Sequence, residues 1–476
     1  MASPSDTDLQ AAIAVTRFGL GARPGELAEV AKDPKGWLRA QIRPAGADQP
    51  QADPATAAQR IADFRVYQQD RRAMRRGMAG DDGGDTPPDR DPVRIAARML
   101  REGAAVDFLA RAQLAATTPA GFRERWALFW ANHFTVSGVK LVTASVVGPF
   151  EQEAIRPRVF GRFEDLLISS TMHPGMLLYL DQAQSVGPGS PAAGYLRRRP
   201  NAVPGVGGGL NENLAREILE LHTVGVDGGY SQADVTEFAR ALTGWSVGGL
   251  REAEARRGRF VFRVAAHEPG SRSVMGKTYA PDEAMQAGAI LKDLAAHPAT
   301  ARHLSRKIAR HFTADEPSPA LVARLEKAWL GSGGDLAVVA RALIEAPEAW
   351  DPTPAKFKTP YEFLISSWRA IGGQPGAIEH LAPPLNALGQ RAFSPPSPKG
   401  WDDVALTWAA PDAIIKRMTW AEGFSAVVAA DLDPNAVAAG ALGARLSPAV
   451  RKAVARAESR EEALSVLLMS PEFQRR

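Results

Sequence analysis

The chain has 476 residues and no cysteine. That excludes disulfides, thiolate metal sites and cysteine nucleophiles, and leaves the redox compartment open. Charge of one sign is also lacking. The 57 basic side chains oppose 53 acidic ones, for a formal net charge of +4. No strong field is available to attract nucleic acid, so no nucleic-acid partner is expected. No stretch of about 18 apolar residues occurs, so no membrane span is expected. The start, Met1 to Asp8, lacks a basic region followed by an apolar one. The expected location on that ground is cytoplasmic. No Gly-x-x-x-x-Gly-Lys-[Ser/Thr] phosphate loop is found, which removes one common catalytic framework.

What is present is a normal core content, 45% hydrophobic, arranged mostly at helical spacing. The pattern predicts an all-α fold: a large multi-helix domain with one short β hairpin near 259–279 and long loops rich in Gly, Pro and Arg. Residues 1–430 read as a single helical domain with flexible inserts near 44–92 and 186–210. Residues 431–476 read as a C-terminal helical segment packed on the same domain. The spacing predicts helices over 7–18, 26–41, 93–118, 121–134, 150–171, 281–295, 298–312, 318–331, 335–345 and 359–371. Ser231 and Asp234 form a capping-box pattern for a helix running to Leu242. Segments 77–92 and 186–209 are expected to be the most mobile, the second as a lid or insert. Arg71, Arg72, Arg75 and Arg76 share helical spacing and are expected on a solvated arm.

The stretch Asn211 to Thr223 draws attention as a site. At about 100° per residue, Asn213, Arg216, Glu217 and Glu220 form one narrow polar stripe, while Leu214, Ala215, Ile218, Leu219 and Leu221 cover most of the rest. His222 falls opposite the stripe. Polar groups on so apolar a helix need partners, a metal or a substrate. Two readings stay open. The i, i+4 pairs Asn213–Glu217 and Arg216–Glu220 can satisfy one another on an ordinary helix. Alternatively, burial and repulsion split the carboxylate pKa values and prepare acid–base chemistry. On that second reading Glu217, Glu220, Asp181 and Glu212 are the candidate catalytic carboxylates. Asn213, Arg216, His222, Trp130, His133, Trp245 and Trp401 are the candidate substrate-binding residues. The stripe Trp126, Phe129, Trp130 and His133 is more often core than a platform for sugars.

Several phrases together resemble one bacterial family, the domain-of-unknown-function 1800 family. They are Arg17-Phe18-Gly19, Phe129 to Phe134, His173 to Asp181, Asn211 to Glu217, Glu220 to Val226, Leu242-Thr243-Gly244-Trp245, His297 to Ala301 and Pro395 to Trp401. The likeness runs from about residue 14 to the C-terminus. It implies a mainly helical fold and an uncharacterised function. It also implies a periplasmic or secreted location as an alternative, because members often carry an export signal. Their genes often neighbour one for a sulfatase-like, phosphatase-superfamily protein. Ala131 stands where members often have a second histidine.

Three functions follow as expectations. The first is a hydrolase using acid–base carboxylates in a helical cleft, on a glycan or other polymer. The loop 186–210 with Trp130, Trp245 and Trp401 would line its groove. The second is a non-catalytic scaffold or partner for the sulfatase- or phosphatase-like neighbour. The third is a metal enzyme whose ligands, from His133, His222, His267 and Glu217 or Glu220, come from separate helices. No ligand pair at i, i+3 or i, i+4 links Glu217 or Glu220 to His222, and no cofactor is called for.

Overall fold

The structure is a computed structural model that describes residues 6–78, 92–198, 209–250 and 252–476. It is all-α, with two small antiparallel strand pairs. Local chemistry sets many helix ends. Asp33 accepts from the Gly36 amide at 2.8 Å and Pro34 follows at the first helical position, so the expected helix 26–41 restarts there as Glu26–Val30 and Pro34–Arg39. Pro157 likewise interrupts the expected helix 150–171, leaving Phe163–Met172 as a separate element. The Ser231–Asp234 capping box forms, and a second one joins Thr359 to Glu362.

One hairpin was expected, and the strands instead make two pairs. Arg272–Val274 pairs with Lys277–Tyr279 across Met275 and Gly276, both at positive φ. Phe260–Phe262 pairs back with Trp245–Val247. The loop 186–210 is not wholly irregular. Ser190 caps a short helix, Pro191–Arg197, and the Gly189 amide donates to Glu268 Oε2 at 2.6 Å. Residues 79–91 and 199–208 lie outside the described residues, and with them nearly all of the segment 77–92 and the latter part of 186–209, both expected to be mobile.

Two hydrophobic clusters organise the packing. The first gathers the aromatic helix Gly121–His133, the helix Phe163–Met172, the stretch Asn213–Glu217 with the following turn, and the helices from Glu283 to Glu345. The second holds Phe108 and Ala112 from the helix Pro92–Thr117, Phe363 and Leu364 from Pro360–Ala370, and the C-terminal helices through Phe473. Between them lies a cavity, walled by Val136 and Phe150 of the first cluster and Leu20, Phe108 and Leu385 of the second. No described helix is long and apolar enough to cross a membrane.

Candidate functional site

The predicted polar stripe forms only in part. Helix Asn213–Glu217 passes into a widened π turn over Ile218–His222, where advance per residue falls below 100°. Asn211 sits before the helix: its Oδ1 accepts from the Asn213 amide at 2.9 Å and its Nδ2 donates to Leu180 O at 2.9 Å. Arg216 donates to Gln232 Oε1 at 2.7 Å and reaches Glu212 and Glu220 at 3.4 Å each. Glu212 also accepts from Thr236 Oγ1 at 2.7 Å and Gln232 Nε2 at 2.9 Å, and these bonds hold its pKa below the ordinary carboxylate value. Asp181 lies apart, ion-paired to Lys140 at 2.8 Å.

Glu217 differs from the other three. Half-buried, it has no hydrogen bond among the described residues, and the Asn213–Glu217 pair does not form. Burial first, then the like charge of Glu220, raises its pKa, with Arg216 opposing. Burial together with Glu217 pushes the Tyr179 phenol up to about 12.

The expected aromatic groove is not assembled. Trp130 is fully buried between Phe129, His133 and Phe163, with ring centroids 5.0, 5.4 and 5.8 Å away. Trp245 is buried on its strand, donating to Ala284 O at 3.3 Å. Large aromatic area at helical spacing went to the core instead. Trp401 lies elsewhere, under the loop 394–401. Asn132 clamps it from both sides, accepting from the Trp401 amide at 2.8 Å and donating to its carbonyl at 3.0 Å. Gly400 permits this approach: at φ +82°, a Cβ there would lie 2.4 Å from Asn132 O.

His133 and His222 do meet, with rings 5.8 Å apart in the core. His133 Nδ1 lies 3.0 Å from Lys307 Nζ, and its Nε2 lies 3.3 Å from His222 O. Among the described residues, neither ring nitrogen of His222 has a partner. Burial, reinforced by Lys307 and His303, pushes His222 down to about 3. His303 falls to about 4 and Lys307 to about 8, burial again leading. His267 is remote from this group, bonded through Nδ1 to Thr243 O at 2.8 Å. Among the described residues, no group of three or more His, Asp or Glu side chains is placed to hold a metal ion.

The cavity between the clusters has a volume of about 130 Å³. Loop 393–403 closes over it, pinned by Ser137 Oγ to Pro395 O at 2.8 Å and by the Gly138 amide to Phe393 O at 2.7 Å. His311 and Asp403 both line it. Asp403 Oδ2 lies 2.8 Å from His311 Nδ1. Its other oxygen is 3.2 Å from Lys356 Nζ and 3.8 Å from Arg476. Burial works against the Asp403 charge, but His311, Lys356 and Arg476 outweigh it and hold its pKa below the usual carboxylate value. An ionised Asp403 requires the proton on His311 Nδ1. His311 itself is pushed down by burial against the pull of Asp403, and among the described residues its Nε2 has no partner. Behind the pair, Glu362 is held by Arg125 and by Arg476 Nη2 at 3.0 Å.

Sequence reasoning passed over His303, Lys307, His311, Asp403, Arg111 and Tyr361. The first three carried a signal: they recur every four residues on the helix Pro298–Phe312, one face of it. Four of the chain's eight histidines (His133, His222, His303 and His311) gather along that face. No curated protein and no solved structure matches the chain. The family described as "Protein of unknown function (DUF1800)" matches residues 13–475. The chain belongs to the DUF1800 family.

Proposed function

We propose that the protein is a hydrolase in which His311 is the general base and acid, acting in the cavity under loop 393–403. The observation that carries this reading is the Asp403–His311 pair at 2.8 Å with Nε2 unengaged among the described residues. The carboxylate fixes the ring and its tautomer, and the far nitrogen takes the proton of an attacking water, then returns it to the leaving group. Lys356 and Arg476 keep Asp403 ionised, so the proton stays on the imidazole during the step. A cavity of about 130 Å³ admits a small substrate and water but no polymer chain. The test is hydrolysis of a panel of small esters, followed as acid release by pH-stat, and of small amides, followed as amine release. His311→Asn is expected to reduce turnover by about 10²-fold or more at unchanged melting temperature, the scale of a missing general base. Equal rates in wild type and variant would overturn the assignment.

A second reading is favoured by Glu217, whose half-buried carboxylate has no hydrogen bond and a raised pKa. There, Glu217 and Glu220 act on a polymer such as a glycan from an open helix face. Glu217→Gln removes repulsion from Glu220 and breaks no hydrogen bond, so the melting temperature is expected to hold or rise slightly. Loss of polymer hydrolysis in this variant, with small-ester turnover intact, would move the reaction to Glu217. If neither variant alters any turnover, the remaining reading is a helical partner for a sulfatase- or phosphatase-like protein, checked by co-purification with it.

A further inference from the structure

We infer that the cavity binds a small monocarboxylate with an apolar body of about one ring, held by the guanidinium fork of Arg111 and the hydroxyl of Tyr361. The inference rests on the reading of this cavity as the reaction site and names its substrate class.

Arg111 enters from the helix Pro92–Thr117. Its carbon centre lies 5.0 Å from the Tyr361 ring, 5.4 Å from Phe393 and 5.7 Å from Phe108. Aromatic faces stabilise the charge but accept no hydrogen bond in the guanidinium plane. The charged contact of Arg111 is Nε to Glu151 Oε2 at 3.2 Å, and that carboxylate is shared with Arg156 at 2.7 Å. Neither Nη of Arg111 makes a hydrogen bond among the described residues. Two parallel N–H donors in a collar of rings fit the two oxygens of a carboxylate.

Tyr361 supplies an independent sign. It is 7% exposed and lines the same cavity, and among the described residues its hydroxyl has no partner. Buried hydroxyls are nearly always bonded, so an unpaired one marks the place of an absent acceptor. Phe393 adds strain to the same wall. It holds φ +47° without being glycine, in the loop that presses its ring toward Arg111. Leu128, Val136, Val147 and Phe150 supply the apolar part of the wall, beside polar lining that includes Asn132 and Gln390. The cavity volume compares with the roughly 150 Å³ known to hold benzene. A tetrahedral phosphate would find one fork and one hydroxyl for its oxygens and lose the apolar contact.

The experiment is calorimetric titration of the full chain with sodium benzoate, with inorganic phosphate as comparison. Saturable benzoate binding is expected, at least tenfold tighter than phosphate. Arg111→Lys keeps the charge and removes the fork, and is expected to weaken benzoate at least tenfold. Tyr361→Phe removes an unpaired hydroxyl without disturbing any bond, and is expected to weaken it about threefold or more. No saturation at millimolar benzoate, or unchanged affinity in the Tyr361→Phe and Arg111→Lys proteins, would overturn the inference. His311→Asn separates the two claims. Benzoate binding kept without any His311-dependent turnover would sink only the hydrolase reading. His311-dependent turnover without benzoate binding would sink only the carboxylate site.

Discussion

Replacing Glu362 with glutamine is expected to destabilise the fold by about 3–5 kcal/mol, the range for unpairing a buried ion pair. Glu362 is buried and ties the two clusters to the chain's last residue. One oxygen takes Arg125 and Arg476; the other accepts from the Thr359 amide at 2.9 Å as the far half of a capping box. Glutamine keeps the shape and can keep the cap. What it removes is the negative charge facing two fully buried guanidiniums. The surroundings make matters worse. Lys358 is already held well below its ordinary pKa by burial, with Arg125, Arg417 and Arg476 pressing and Glu362 opposing. A contrast is built into the surface. Arg39 and Glu345 pair at 2.6 Å with both side chains about half exposed. Glu345→Gln should therefore change stability by less than about 1 kcal/mol. Chemical denaturation of both variants checks the pair; a Glu362→Gln midpoint as mild as that of Glu345→Gln would count against this network as a stabilising contact.

The helices and most of their ends were legible because their causes are local. Ser231 with Asp234 caps at three residues' separation, and Pro-led helices such as Pro298–Phe312 need no distant partner. The alternation at 259–264 points to one hairpin near 259–279, but those residues pair upstream with Trp245–Val247 and the tight hairpin forms at 272–279, which the alternation does not mark. The site was harder. The 100° rule fails at Ile218, where the turn widens, and nothing in the residues announces that change. Spacing offered two i, i+4 pairs. Arg216–Glu220 formed and Asn213–Glu217 did not, while Gln232 and Thr236 on the neighbouring helix engage Arg216 and Glu212. The spacing of Trp126, Phe129 and Trp130 fits platform or core alike, and only tertiary packing separates those outcomes for Trp130. Arg111 and Tyr361 are joined by folding alone. No spacing rule links residues so far apart in the chain.

Acid should unfold the protein earlier than its carboxylates require, and His222 is the reason. It is 1% exposed, both ring nitrogens lack partners among the described residues, and its folded pKa is about 3 against an ordinary 6.5. The unfolded chain takes up a proton as pH falls below 6.5, while the folded chain refuses it until about 3. Stability from keeping this ring neutral is therefore complete above 6.5 and lost progressively toward 3. One such group amounts to about 2 kcal/mol by pH 5 and about 5 kcal/mol in the limit. His303, with a folded pKa of about 4, acts in the same direction. Facing groups do not cancel the effect: His133 is itself held well below 6.5, and Lys307 supplies repulsion. Lys307, at about 8 when folded, adds its own dependence only on the alkaline side, where stability rises between about 8 and 10.5. The lowered carboxylates Glu362 and Asp403 begin to matter only near and below their ordinary values, and raised carboxylates such as Glu217 and Asp107 act in the opposite direction, so the comparison with the His222 variant is what isolates the ring. His222→Phe keeps a ring beside Phe134, whose centroid is 5.1 Å away, and breaks no hydrogen bond. Denaturation at pH 7 and pH 5 is expected to give a steep loss for wild type and a visibly flatter one for the variant. An identical pH slope in both proteins would show that the buried ring takes up no proton on unfolding in this range.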